Sequence, residues 1–179
     1  MREAIAVRKL TLVINGRGGV GKDTLCEVAA RRYRVKNVSS ITPIKALAAQ
    51  CGWTGEKTDA ARRFLADLKA LTAAYNDYPT RWITEEYRRF LTSEDEILFV
   101  HIREGAEIEK FVSATDGAAR TLLIRAERRM GAHVYGNASD DLVEEYPYDY
   151  YFSNDDTPEV AAERFLAFLD GILTATETE

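Results

Sequence analysis

Lys9-Leu-Thr-Leu-Val-Ile-Asn-Gly-Arg-Gly-Gly-Val-Gly-Lys-Asp-Thr24 joins a short apolar run to a glycine-rich turn and then to a helical segment. The run from Lys9 to Ile14 is β-branched, too short for a helix and stopped at Asn15-Gly16, so it reads as a buried strand. Gly16-Arg-Gly18-Gly19-Val20-Gly21-Lys22 then satisfies G-x-x-x-x-G-K in the strand-to-helix setting that this pattern requires. Glycines let backbone N–H groups turn inward around phosphate oxygens without Cβ interference, and the helix starting at Gly21 adds its positive end. Lys22 is placed to reach β- and γ-phosphates and to neutralise charge that shifts toward the leaving oxygen. The stretch from Gly16 to Thr24 is therefore expected to hold a nucleoside triphosphate, ATP, through Gly16, Gly18, Gly19, Val20, Gly21, Lys22, Asp23 and Thr24.

The lysine is followed by Asp23 and only then by Thr24, where most such loops place a Mg²⁺-binding Ser or Thr at once. A carboxylate there holds Mg²⁺ directly or through water, or else approaches the acceptor; the residues leave both open. Asp23 and Thr24 are the metal candidates, and the Thr24 hydroxyl is expected to meet a phosphate oxygen. Gly16, Gly18 and Gly21 also spell G-x-G-x-x-G, the dinucleotide fingerprint. That reading needs an acid at the end of the second strand, where Val38-Ser39-Ser40 has none, and it leaves Lys22 without a task.

Working outward, Lys22 to Tyr33 has helical spacing and Val35 to Ser39 reads as a second strand, which makes a βαβ unit. From Ser40 to Leu91 the pattern is helical, with Pro43 starting one helix and Gly52-Trp53-Thr54-Gly55 breaking it from the next, so three helices are expected there. Ile97 to Ile102 is the third strand, Glu104 to Val112 a short helix, and Ala119 to Arg125 the fourth strand. Ala126 to Pro147 is polar and broken by glycines, and is expected to be an excursion before the strand Asp149 to Ser153 and the closing helix Pro158 to Leu173. The fold class is α/β, a parallel sheet covered by helices on both faces.

The chain of 179 residues suits one domain, 1–179, and its 46% hydrophobic and 30% charged residues suit a globular core. Its formal charge of −5 argues against a nucleic-acid partner. No apolar run approaches the roughly 18 residues of a membrane span. Cys26 and Cys51 show neither metal-ligand spacing nor a disulfide framework, so a cytoplasmic protein is expected. Monomer and homodimer remain equally open.

A P-loop by itself indicates a nucleotide and not a reaction. Transfer to a small anionic acceptor needs further cations, and in an open α/β sheet the ligand crevice lies beyond the carboxyl ends of the strands. Arg103 and Arg125 fall at such ends, and Arg62, Arg63 and Arg81 lie in the helical region. Aromatic residues are mostly core, but Tyr75, Tyr78 or Trp82 are candidates to stack on a base in an acceptor pocket.

Gly-Lys-Asp-Thr in this loop resembles the deoxynucleoside monophosphate kinases of phage and bacteria and the related animal-type phosphomevalonate kinases. Thr42-Pro43-Ile44-Lys45-Ala46, Gly52-Trp53-Thr54-Gly55-Glu56-Lys57 and Arg62-Arg63-Phe64-Leu65-Ala66-Asp67-Leu68 are similar to that group's acceptor-side helices. His101-Ile102-Arg103 with Glu107 resembles its Asp-Val-Arg element, Leu123-Ile124-Arg125 and Ser139-Asp140 the ends of its lid, and Asp149 to Thr157 the last strand and its Asn154 turn beside adenine. The resemblance implies a three-layer P-loop kinase with strand order 2-3-1-4-5, an acceptor-binding region at 40–91 and a lid at 126–147. It also implies cofactor contacts from Arg125 and Asn154, acceptor contacts from Arg62, Arg63, Arg81, Trp82, His101, Arg103 and Glu107, and catalysis by Lys22, Asp23, Arg103 and Arg125. His101 stands where the group has Asp; an imidazole there is a poor Mg²⁺ partner but can still hydrogen-bond a phosphate, a base or a carbonyl.

The expected activity is ATP- and Mg²⁺-dependent phosphoryl transfer to a nucleoside or deoxynucleoside monophosphate. Two alternatives stand beside it: a kinase of a non-nucleotide phosphate or alcohol, and a nucleotide-binding regulatory module with little chemistry.

Overall fold

The computed structural model describes residues 8–130 and 143–175. The opening run forms β1 (Leu10–Asn15), and the turn leads into α1 (Lys22–Ala30), β2 (Val35–Ser39), α2 (Thr42–Gln50), α3 (Asp59–Asn76) and α4 (Tyr78–Leu91). Then come β3 (Ile97–His101), α5 (Gly105–Ala114), β4 (Arg120–Arg125), a short α6 (Glu127–Met130), β5 (Tyr150–Ser153) and α7 (Pro158–Ala175). The strands make one parallel sheet in the order β2-β3-β1-β4-β5. This is the architecture expected, with strand ends displaced by one residue at most. The first helix stops at Ala30 instead of Tyr33, because Arg31 to Tyr33 turn back onto the carbonyls of Val28 and Ala29. The expected lid falls largely on 131–142, as do His133, Ser139 and Asp140, outside the described residues.

All six residues of β1 are buried because both faces of the sheet are covered, which is why its sequence is mostly apolar, with Thr11 and Asn15 the buried polar exceptions, and not alternating. On one face Leu12, Ile14, Phe99 and Leu122 pack against Leu25 of α1 and Phe165 and Leu169 of α7. On the other, Val13, Leu98, Val100 and Leu123 pack against Ile83 and Phe90 of α4 and Ile108 and Phe111 of α5. Each such side chain contributes roughly 1.5–3 kcal/mol on burial. The consequence for function is one of placement. β1 lies between β3 and β4, with Ile14 opposite His101 and Asn15 opposite Leu123, so the loop after β1 emerges between the carboxyl ends of both neighbours.

Helix α3 is held differently. Of its eighteen residues only Ala61 is buried. Its start is fixed by Thr58, whose Oγ1 accepts from the Ala61 N–H at 3.2 Å, and its end by Asp77 in the left-handed conformation at φ 55°. With so little apolar anchorage, it is held by its packing against α2 and α4 and by polar contacts at the site beside it.

Candidate active site

Gly16 starts the turn at φ +148°, and a Cβ built there would sit 2.5 Å from the Ile124 carbonyl oxygen and 2.9 Å from Val20 Cγ2. Only glycine lets the loop leave β1 this close to β4. Gly21 caps α1 at φ 89°, again in the left-handed region. Two asparagines brace the loop from behind. Asn15, fully buried, accepts the Gly16 N–H through Oδ1 at 2.8 Å, while its Nδ2 donates to the Arg103 carbonyl at 3.0 Å and to the Tyr148 hydroxyl at 2.8 Å. Asn154 donates from Nδ2 to the Val20 carbonyl at 2.8 Å, and its own N–H bonds the Arg125 carbonyl at 2.7 Å. The turn after β5 thus touches the P-loop itself. Lys22 lies folded over the loop, its Nζ donating to the carbonyls of Gly16 at 2.5 Å and Arg17 at 3.0 Å.

Beside this loop opens a crevice of about 690 Å³. Gly18, Gly19, Lys22 and Asp23 form one wall; Ser40, Thr42 and Lys45 another; and Arg62, Leu65, Ala66 and Lys69 of α3 close it against Arg103 and Glu104. Arg62, Arg103, His101, Lys22 and Asp23, all proposed from sequence, therefore share one cavity. Arg63, the next residue on α3, is exposed and outside it. Arg81 and Trp82 lie elsewhere: they line a separate open groove of about 950 Å³ between α4 and α5, with Tyr78 and Arg88. The phase of α4 turns them away, because its buried stripe of Ile83, Glu86 and Phe90 faces the sheet. Tyr75 is 85% exposed on the outer side of α3. Among the described residues lining the crevice there is no Phe, Tyr or Trp, and the imidazole of His101 is the one ring.

Glu107 sits behind the crevice wall in an ionic cluster. Lys69 Nζ donates to Glu104 Oε2 and Glu107 Oε2, both at 2.8 Å, and the Ser40 hydroxyl donates to Glu107 Oε2 at 3.2 Å. Burial draws the Lys69 amine down, but the two carboxylates outweigh it and its pKa ends above the ordinary value. Burial, with Glu104 adding to it, raises Glu107; for Glu104 the burial effect is overcome by Lys69 and the net shift is down. The cluster ties α3 to the start of α5 and adds to the anchorage that its packing against α2 and α4 provides. Lys45, Lys69, Ser40 and Asn15 were not picked out from sequence. The available signals were a single lysine inside the apolar run Leu68-Lys69-Ala70-Leu71 and a polar residue ending a buried strand.

His101 ends β3 with Nε2 3.3 Å from Asn37 Oδ1 and 3.9 Å from Cys26 Sγ. Burial lowers its pKa, the Asp23 carboxylate opposing and Lys22 reinforcing, which favours a neutral ring at neutral pH. Its partner is thus a side-chain amide and not a backbone carbonyl. Burial pushes the Cys26 thiol up to about 12, so it stays protonated and unreactive.

Asp23 and Thr24 are both exposed in the first turn of α1, with Asp23 in the crevice wall and Thr24 outside it. Their oxygens are hard donors of the kind Mg²⁺ prefers, and a cation shared with phosphates takes only one or two protein oxygens, so the residues present fit the metal. Among the described residues no group of three or more His, Cys, Asp and Glu side chains could hold a metal unaided. Across the loop, Arg125 leaves β4 with Nη2 3.7 Å from Glu144 Oε2 and its guanidinium 4.8 Å from the centre of the Tyr151 ring. Among the described residues no helix is long and apolar enough to cross a membrane.

No family model matches the chain, and no curated protein matches its sequence. Solved structures do match. A tunicamycin resistance protein from Deinococcus radiodurans superposes with a TM-score of 0.56 at 16% identity, covering 90% of this chain and 96% of that one. Shikimate kinase from Aquifex aeolicus gives 0.56 at 10% identity over 90% and 97%. A gluconokinase from Sinorhizobium meliloti gives 0.51 at 13% identity over 96% and 97%. With the sheet order and loop above, these likenesses establish the P-loop kinase fold.

Proposed function

We propose that this protein is an ATP-dependent kinase that phosphorylates a hydroxyl of a small, anionic, non-nucleotide metabolite. The observation that carries the proposal is the composition of the crevice beside the P-loop: Lys45, Arg62 and Arg103 supply cations, Ser40 and Thr42 hydroxyls, and the one ring on the described wall is the His101 imidazole, engaged with Asn37. Two of the matched structures are named as kinases of shikimate and gluconate, which supports an acceptor outside the nucleotides.

In the proposed reaction the P-loop amides and Lys22 hold the triphosphate, Lys22 exchanging the Gly16 and Arg17 carbonyls for phosphate oxygens. Mg²⁺, which Asp23 and Thr24 would hold, supplies neutralisation of the β- and γ-phosphate charge. Arg62, Arg103 and Lys45 orient the anionic acceptor so that its hydroxyl oxygen faces the γ-phosphorus. The new P–O bond forms as the bond to the β-phosphate oxygen breaks, and the hydroxyl proton passes to an oxygen of the transferred phosphoryl group. ADP and the phosphorylated acceptor result. Catalysis is mainly positioning and charge neutralisation.

A coupled ADP-release screen over hydroxy acids, sugar acids, sugar phosphates and nucleoside monophosphates tests this. Turnover is expected with a non-nucleotide acid or phosphate, and Lys22→Ala should lower it at least about 10²-fold without loss of fold. Preferential turnover of a nucleoside monophosphate would return the acceptor to the class that the Gly-Lys-Asp-Thr motif resembles. Unchanged activity of Lys22→Ala would refute the P-loop chemistry altogether.

A further inference from the structure

Resting on the nucleotide-binding reading, we infer that Glu144 is an internal counter-anion which the nucleotide phosphates must displace, so that this one carboxylate sets nucleotide affinity. Glu144 bridges two cations from different elements. Its Oε1 lies 3.3 Å from Nε of Arg17, inside the P-loop, and its Oε2 lies 3.7 Å from Nη2 of Arg125, at the end of β4. The pairing is electrostatic and geometrically poor: the Nε atoms of Arg17 and Arg125 are both buried and neither has a hydrogen-bond partner. Two guanidiniums sharing one badly aligned carboxylate retain net positive charge and unused donors beside a loop built for phosphate. A phosphate group presents more oxygens than a carboxylate and accepts from both arginines at once.

Glu144 is delivered to this position by the same frame that shapes the loop. Val143, its neighbour, is buried, and the Val143 carbonyl accepts the Tyr148 hydroxyl at 2.7 Å. Tyr148 in turn accepts from Asn15, whose Oδ1 holds the Gly16 N–H. The carboxylate itself remains exposed, so it can leave the arginines without disrupting packed side chains. Bound phosphate and Glu144 cannot both neutralise Arg17 and Arg125, and each weakens the other.

The test is equilibrium binding of ADP and, separately, of inorganic tripolyphosphate to the full chain and its variants. Glu144→Gln and Glu144→Ala should tighten both probes by about three- to fivefold, the upper end of the range for a partly exposed ion pair lost as competitor. The gain should shrink at high ionic strength. Glu145→Gln, with the same change in net charge beside the site, should stay within about twofold. A purely structural Glu144 would instead lose affinity on substitution. Equal or weaker binding by both Glu144 variants, or an equal gain from Glu145→Gln, overturns the inference while leaving nucleotide binding intact. Failure of the wild-type chain to bind either probe removes the nucleotide reading and this inference with it.

Discussion

Replacing Lys69 with Met keeps the aliphatic stem and deletes the charge that holds Glu104 and Glu107 together. In the native cluster the lysine side chain is 19% exposed and those of Glu107 and Glu104 are 11% and 45% exposed. Breaking a fully buried pair costs about 3–5 kcal/mol; with one carboxylate half in water, about 2 kcal/mol is the appropriate size at neutral pH. For a chain of this length that corresponds to a fall in Tm of about 4–8 °C. The pH dependence has a definite sign. Glu107 already titrates above its ordinary value through burial and Glu104, and removing Lys69 raises it further. An acid with a raised folded pKa favours the folded state only where it is protonated. The deficit of Lys69→Met relative to wild type is therefore full above the folded pKa and shrinks as pH falls through it toward about 4.3, the unfolded value. Thermal melts of both proteins at pH 8 and pH 5 measure this. Lys69→Met/Glu107→Gln should recover most of the loss at pH 8. A deficit below about 1 °C, or one equal at both pH values, would refute the claim that this cluster anchors α3.

Gly16→Ala should cost at least about 2 kcal/mol in chemical denaturation and abolish nucleotide binding, since its Cβ meets backbone that cannot yield. Wild-type stability in that variant would mean that β4 can move. Asn15→Ala leaves the Gly16 N–H without its acceptor and the Arg103 carbonyl and Tyr148 hydroxyl without their donor, and should cost about 1–3 kcal/mol together with weaker nucleotide binding. Denaturation and ADP titration on the same preparation would expose a loss in one without the other.

The sheet was legible because local rules and tertiary placement agree there. β1 and β3 are predominantly apolar for the same reason that they are central, and Gly16 stops β1 where the backbone must turn. The P-loop was legible for a related reason, as its chemistry is carried by the backbone of consecutive residues. The acceptor side was only partly readable. Arg62 and Arg63 are adjacent in sequence and differ by about 100° around α3, which puts one in the crevice and leaves the other in solvent. Arg81 and Trp82 carried the right chemistry on a helix whose phase is set by Ile83 and Phe90 in the core. Lys69, Glu104 and Glu107 gain their meaning only once the fold brings Lys69 of α3 to the start of α5, a contact with no local trace. His101 finds Asn37 across a strand pairing that its own neighbourhood does not reveal.

Because β1 is flanked by β3 on one side and β4 on the other, the crevice cations and the Arg125–Glu144 pair occupy opposite banks of a single strand. The bank proposed for the acceptor is built from α2, α3 and the start of α5; the other from β4, β5 and their turns. An engineer seeking a new phosphate acceptor can vary the crevice-lining positions of α2 and α3, keeping the two asparagine braces, the Lys69 anchor and the core face of α4, and leave the opposite bank unaltered.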